Sequence, residues 1–133
     1  MMTIAQTREK PPRKILVVED SEDNRDIVVL RLKRMGSYAV LEASNGKEAL
    51  ELAAQSKPDL IFMDLNMPVM DGWEATSALR KTEWGKTLPV IMLTAYTTDE
   101  DRQRAFEAGC NDFIAKPILD YRIIQKKVEQ LLS

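Results

Sequence analysis

The sequence predicts an α/β fold, a doubly wound parallel sheet of five strands built from five successive βα units. Three observations lead there. Short apolar runs without alternation, such as Ile15–Val18, Leu60–Met63 and Val90–Leu93, have the pattern of strands buried on both faces. Between them lie segments with apolar residues at helical spacing, opened by Ser, Asn or Thr and closed near Gly. Strand and helix alternate throughout the 133 residues, which implies right-handed crossovers with helices on both faces of the sheet.

Residues 1–13 are polar and include Pro11 and Pro12, so they read as a flexible leader to a domain at 14–133. Ile15–Val18 is the first strand and ends in Glu19 and Asp20. Ser21 suits the N-cap of a helix with Ile27, Val28, Leu30, Leu32 and Met35 inward, stopping near Gly36. Tyr38–Leu41 is a short strand, and Asn45 with Glu48 has the spacing of a capping box for a second helix. Leu60–Met63 follows, bounded by Pro58 and Pro68 and ending at Asp64. Asp71-Gly72 turns into a third helix carrying Ala75, Ala78 and Leu79. Pro89 opens a fourth strand ending at Thr94, and Thr97 with Glu100 or Thr98 with Asp101 caps a fourth helix reaching Gly109. Asp112–Ala115 is a weak fifth strand leading to Lys116-Pro117. The last helix places Tyr121, Ile124, Val128 and Leu131 inward and Arg122, Lys126, Lys127 and Glu129 in water.

Composition excludes several functions. A formal net charge of -2 argues against an electrostatically driven nucleic-acid binder. Histidine is absent, which removes His-based triads, zinc sites and phosphohistidine chemistry from this chain. Cys110 is the single cysteine, so an intramolecular disulfide is impossible; a small half-buried residue in a reducing cytoplasm is the expectation. Neither a membrane-spanning run nor the apolar core of a signal peptide is present.

In a flavodoxin-like strand order, 2-1-3-4-5, the switch point lies between the first and third strands. All strand C-termini then share one edge, so Glu19, Asp20, Asp64, Thr94 and Lys116 converge from distant parts of the chain. Singly, each has an ordinary explanation: Asp64 as a turn cap, Thr94 as a turn hydroxyl, Lys116 as a solvated lysine, Glu19-Asp20 as a capping pair. Together they suit phosphoryl transfer. Three carboxylates need a hard divalent cation and a lysine to balance them, and Mg²⁺ accepts a few carboxylate or carbonyl oxygens. A carboxylate, Asp64, serves as nucleophile; Asp20 holds the metal with Glu19 assisting through water; Lys116 and Thr94 hold phosphoryl oxygens.

The motifs VVED, MDLNMPVMDGWE, LTA and KP, in this order from Lys14 to Leu132, make the chain resemble a response-regulator receiver domain of two-component signalling. The resemblance implies Asp64 as phosphoacceptor, Glu19 and Asp20 as the acidic pair, Thr94 as switch hydroxyl and Lys116 as the essential lysine. It implies Mg²⁺, with Mn²⁺ as its substitute, held by Asp20, Asp64 and the backbone carbonyl of Asn66, with Glu19 beside them. It also implies a cis peptide at Lys116-Pro117, whose isomer the sequence leaves open. Phe113 fills the place of an aromatic that swings inward with Thr94, and Asn66 and Tyr96 occupy positions that tune hydrolysis of the acyl phosphate; Tyr96 is expected to shield it. Phe113 as a plain core aromatic stays open. The implied partners are a sensor histidine kinase or a histidine phosphotransfer protein, and a downstream protein reading the face of the fourth helix, fifth strand and fifth helix. Arg102, Phe106, Phe113, Tyr121 and Arg122 fall there, although Phe106 and Tyr121 serve equally well as core residues. A stand-alone signalling domain or a relay component is expected, dimerising on phosphorylation and binding neither membrane nor nucleic acid directly. It is expected to act as a switch that acquires and loses its own phosphoryl group. A haloacid-dehalogenase-type phosphatase is the alternative, but Asn66 stands where that class needs a second carboxylate. A nucleotide binder would need a Gly-rich loop after the first strand, which is missing.

Overall fold

The computed structural model describes residues 11–95 and 98–132. Its elements are β1 (Arg13–Val18), α1 (Glu22–Arg34), β2 (Tyr38–Ala43), α2 (Gly46–Ser56), β3 (Leu60–Asp64), α3 (Gly72–Arg80), β4 (Val90–Thr94), α4 (Asp99–Ala108), β5 (Asp112–Ala115) and α5 (Arg122–Leu132). The strands are parallel in the order β2-β1-β3-β4-β5, as expected. Side chains alternate across a strand, so the apolar runs feed two cores. Leu16, Val18, Ile61, Met63 and Met92 pack with α2, α3 and α4. Ile15, Val17, Phe62, Ile91 and Leu93 pack with α1 and α5 on the other face. Every residue of β3 and β4 is buried, and each large apolar side chain removed from water contributes about 1.5–3 kcal/mol.

Several boundaries and faces differ from expectation. β1 begins at Arg13, taking the last residue of the expected leader into the sheet, and β2 runs on to Ala43. Pro89 precedes β4, and its carbonyl accepts the Ile61 N–H at 3.0 Å. On α1 the buried residues are Val28, Val29 and Leu32, whereas Ile27 and Leu30 are 44% and 51% exposed. Leu30 lies two positions before Leu32, roughly 200° around the helix, so the two cannot share a buried face.

The helix starts follow local chemistry. The Ser21 hydroxyl accepts the Asn24 N–H at 3.3 Å, and the Asn45 side chain accepts the Glu48 N–H at 2.8 Å. Glu48 turns its carboxylate to the Ser44 hydroxyl instead of closing a box. Complete boxes form at Asp71–Glu74 and Thr98–Asp101; the Thr97 alternative lies outside the described residues. Lys127, expected in water, is partly buried and paired with Asp112. Among the described residues no helix is long and apolar enough to cross a membrane.

Candidate functional site

Parallel strands bring their C-terminal ends to one edge, and four of the five end in polar groups there. Asp64 is the last residue of β3 and Thr94 the last of β4; Glu19 and Asp20 follow β1, and Lys116 follows β5. The ladders continue past the strands: Leu65 N–H donates to the Leu93 carbonyl at 2.9 Å and Lys116 N–H to the Thr94 carbonyl at 2.8 Å. The loop after β3 folds tightly over the edge, because Gly72 donates to the Leu65 carbonyl at 2.9 Å. A Cβ on Gly72 would lie 2.5 Å from the Asp64 carbonyl oxygen, so no larger residue fits there.

Four of the predicted residues, Glu19, Asp20, Asp64 and Lys116, meet. Lys116 Nζ donates to Asp64 Oδ1 at 2.7 Å and to Glu19 Oε1 at 3.1 Å, bridging two carboxylates that are both 2% exposed. Oxygens of Glu19, Asp20 and Asp64 lie within 4.8 Å of one another. Glu19 is held at every polar group: its N–H donates to the Ala43 carbonyl, its carbonyl accepts from Arg25, Oε1 accepts from Lys116 and Oε2 from the Ser21 N–H. Asp20, by contrast, is exposed. Thr94 is buried at the strand end, Asn66 is exposed two residues after Asp64, and Lys116-Pro117 is cis. A cleft of about 290 Å³, lined by Glu19, Asn24, Ile27, Lys116 and Tyr121 among others, opens beside the lysine.

The electrostatics are unbalanced. Three carboxylates face one ammonium among the described residues. Desolvation, then the adjoining Glu19 carboxylate, hold the Asp20 carboxyl above its ordinary range. Burial alone would pull the Lys116 ammonium down, but its hydrogen bonds and charge attraction to Asp64 and Glu19 outweigh that and raise it. Such an acid excess fits a hard divalent cation, which prefers carboxylate oxygens and relieves their repulsion. Glu19, with both oxygens engaged, is the member least able to ligate directly, whereas Asp20 and Asp64 are better placed.

Phe113 lies away from this cluster. It is half-buried on β5, edge-on to Phe106 at 6.2 Å between ring centroids, with the Arg102 guanidinium 5.0 Å from its ring. Phe106 is 48% exposed, which makes it a surface residue, while Tyr121 is half-buried against the α1/α5 core. Tyr96 lies outside the described residues. Cys110 is buried, more so than expected, and burial pushes its thiol up to about 11, so it is no nucleophile near neutral pH. Arg25 was not singled out from the sequence. The available signal was a cation in the first turns of a helix, where the dipole favours acids such as Glu22 and Asp23.

The chain matches the response regulator receiver domain family over residues 15–128. It is similar to the polar-differentiation response regulator DivK of Brucella anthropi, 36% identical over 114 residues, covering 86% of this chain and 92% of that one. It is similar in structure to the chemotaxis protein CheY4 of Vibrio cholerae, with a TM-score of 0.85, 34% identity, and coverage of 92% of this chain and 100% of that one. The receiver domain of sensor histidine kinase PA1611 from Pseudomonas aeruginosa, solved with a magnesium ion coordinated in its active site cleft, gives a TM-score of 0.83 at 34% identity. That likeness covers 91% of this chain and 98% of the other.

Proposed function

We propose, from the premise that this chain belongs to the response regulator receiver domain family, that Asp64 is its phosphoacceptor and that Glu19, Asp20, Thr94 and Lys116 serve that residue. Phosphoacceptor signalling, supplied by histidine kinases or phosphotransfer proteins, is the function class that membership carries. The observation behind the assignment is the Lys116 bridge between two buried carboxylates, Asp64 and Glu19, with Asp20 in excess beside them.

In this reading an Asp64 oxygen attacks phosphorus. The bond from phosphorus to the donor breaks, and its electron pair leaves with the donor. Lys116, already on Asp64 Oδ1 at 2.7 Å, follows the new charge onto a phosphoryl oxygen, and the Thr94 hydroxyl takes another. Asp20, Asp64 and the Asn66 carbonyl would hold Mg²⁺, with Glu19 beside them assisting through water. When bound, the ion would supply the positive charge that lets a dianion enter an acidic pocket. The same site loses its phosphoryl group to water, slowly, because Asn66 offers no general base to take the proton of the attacking water; Tyr96 and Asn66 set that rate.

The added dianion draws Thr94 and Lys116 inward and carries Phe113 with them, changing the face of α4, β5 and α5 that a downstream protein or a second copy reads. Reversing a 1:99 population takes about 5.5 kcal/mol, on the scale of a few charge-assisted hydrogen bonds. Residues 14–133 form the unit that does this, acting in the cytoplasm. The test is intact mass after exposure to a small acyl phosphate with and without Mg²⁺. Wild type should gain one phosphate with Mg²⁺ and Asp64→Asn none. Equal labelling of Asp64→Asn would move the acceptor elsewhere, and sustained turnover of a phosphomonoester would favour a phosphatase.

A further inference from the structure

Arg25 does not reach the proposed phosphoacceptor, yet it is tied to the peptide that carries the acidic pair. Its Nη1 donates to the Glu19 carbonyl at 2.8 Å, and its Nε donates to Glu42 Oε1 on β2 at 3.1 Å. The side chain is 16% exposed, less than the 42% of Glu42, so the guanidinium is packed as well as paired. The Glu19 carbonyl belongs to the peptide that leads into Asp20. On its other side the Glu19 N–H is held by the Ala43 carbonyl at 3.1 Å. The connection from β1 to α1 is thus gripped from β2 at one end and from α1, through Arg25, at the other.

A cation at this helix start opposes the dipole, and Glu22 and Asp23 beside it follow the usual preference. Helix formation alone gives no reason for Arg25. A guanidinium also reads two acceptors at fixed angles, which an ammonium cannot. We infer that Arg25 is a positioning residue for cation binding: with Glu42 as its anchor, it fixes the Glu19–Asp20 peptide so that the exposed Asp20 carboxylate meets the cation in a single orientation. The inference rests on the reading of Glu19, Asp20 and Asp64 as a magnesium site. Groups that orient a metal's ligands without touching the metal commonly control about 10–100-fold in affinity.

Electrostatics and positioning predict opposite signs here. Removing a positive charge near an acidic site should tighten cation binding if charge alone matters. Loss of the grip should weaken it. Titration with magnesium chloride, followed by the amide chemical shifts of Asp20 and Ser21, separates the two. Arg25→Ala should raise the Mg²⁺ Kd about tenfold, Glu42→Ala less, and Glu42→Gln, which keeps an acceptor for Nε, least. Thermal unfolding of the same samples without Mg²⁺ identifies a plain structural staple, for which Tm falls and Kd stays. An unchanged or lower Kd in Arg25→Ala overturns the inference. The comparison of Glu42→Ala with Glu42→Gln keeps the question answerable should Arg25→Ala unfold: both lose the same charge, so Kd must rise more where the acceptor for Nε is also lost, and equal Kd values overturn the inference. Asp20→Asn distinguishes the two levels: if wild type binds no Mg²⁺, or Asp20→Asn binds it as well as wild type, the site reading itself fails and takes the role of Arg25 with it.

Discussion

Two clusters, each built around a cation, sit at opposite ends of the sheet, and only one has its hydrogen-bonding capacity filled. At the end where β4 and β5 begin, Arg80 donates to the carbonyls of Gly85, Leu88 and Gly109 and to Asn111 Oδ1, at 2.7–3.0 Å. Five hydrogen bonds use all five guanidinium N–H groups. Gly109 makes room for the arrangement, since a Cβ there would lie 2.8 Å from Arg80 Cγ. At the other end Glu19, Asp20 and Asp64 crowd around one ammonium. The saturated cluster joins two loops to a helix and leaves nothing to react. The unsaturated one keeps charge in reserve, which costs stability and suits the cation and phosphoryl group proposed for it.

Breaking the saturated cluster should cost most. Arg80→Met strands several carbonyls at a partly buried loop junction, and we expect a loss of about 3 kcal/mol in urea unfolding. Phosphate uptake by the protein that remains folded should be unchanged; a parallel loss of uptake would mean the two ends are coupled. Neutralising part of the unbalanced cluster should do the reverse. Partial desolvation and the adjoining Glu19 carboxylate raise the Asp20 carboxyl in the folded protein although its side chain reaches solvent, so its charge opposes folding at neutral pH. That contribution favours folding below the unfolded value of 3.8 and is lost as pH rises through the higher folded value. Asp20→Asn should therefore raise Tm at pH 7 without Mg²⁺, with the gain vanishing in acid; a lower Tm at pH 7 would contradict the imbalance.

The smallest effect is expected at alkaline pH. Lys116 titrates above its ordinary 10.5 because Asp64 and Glu19 favour its charged form over the opposing cost of burial. Its stabilisation is complete below the unfolded value of 10.5 and is lost as pH rises through the folded one. On the alkaline side of neutrality, where the carboxylates stay ionised in both proteins, the Tm difference between wild type and Lys116→Met should stay constant up to the ordinary lysine range and change only beyond it. A change on that side that sets in below the ordinary lysine range would show that the ammonium is not held by the two carboxylates.

Much of this was legible in the sequence, for local reasons. The uninterrupted apolar runs of β3 and β4 announce burial on both faces, and Ser21, Asn45 and Gly109 mark helix ends through their own backbone chemistry. What escaped depends on rotation and reach. Ile27 and Leu30 are as apolar as Leu32, yet the phase of α1 is set by docking on β1, β2 and α5, which turns them outward. Glu48 has the spacing of a capping box, but the Ser44 hydroxyl takes its carboxylate.

The order of strands and helices and the identity of the strand-end residues are encoded locally, because period, caps and turns act over a few neighbours. Parallel topology then leaves Asp64, Glu19, Asp20, Thr94 and Lys116 one edge to share. The arrangement of charge comes from packing: Lys116 bridges Glu19 and Asp64 while Asp20 stays exposed, Arg25 reaches back to the Glu19 carbonyl, and Arg80 saturates the acceptors at the opposite end. Those contacts join residues up to 97 positions apart. Their lengths depend on how each helix lies against the sheet, a property of packing that no local stretch of sequence contains.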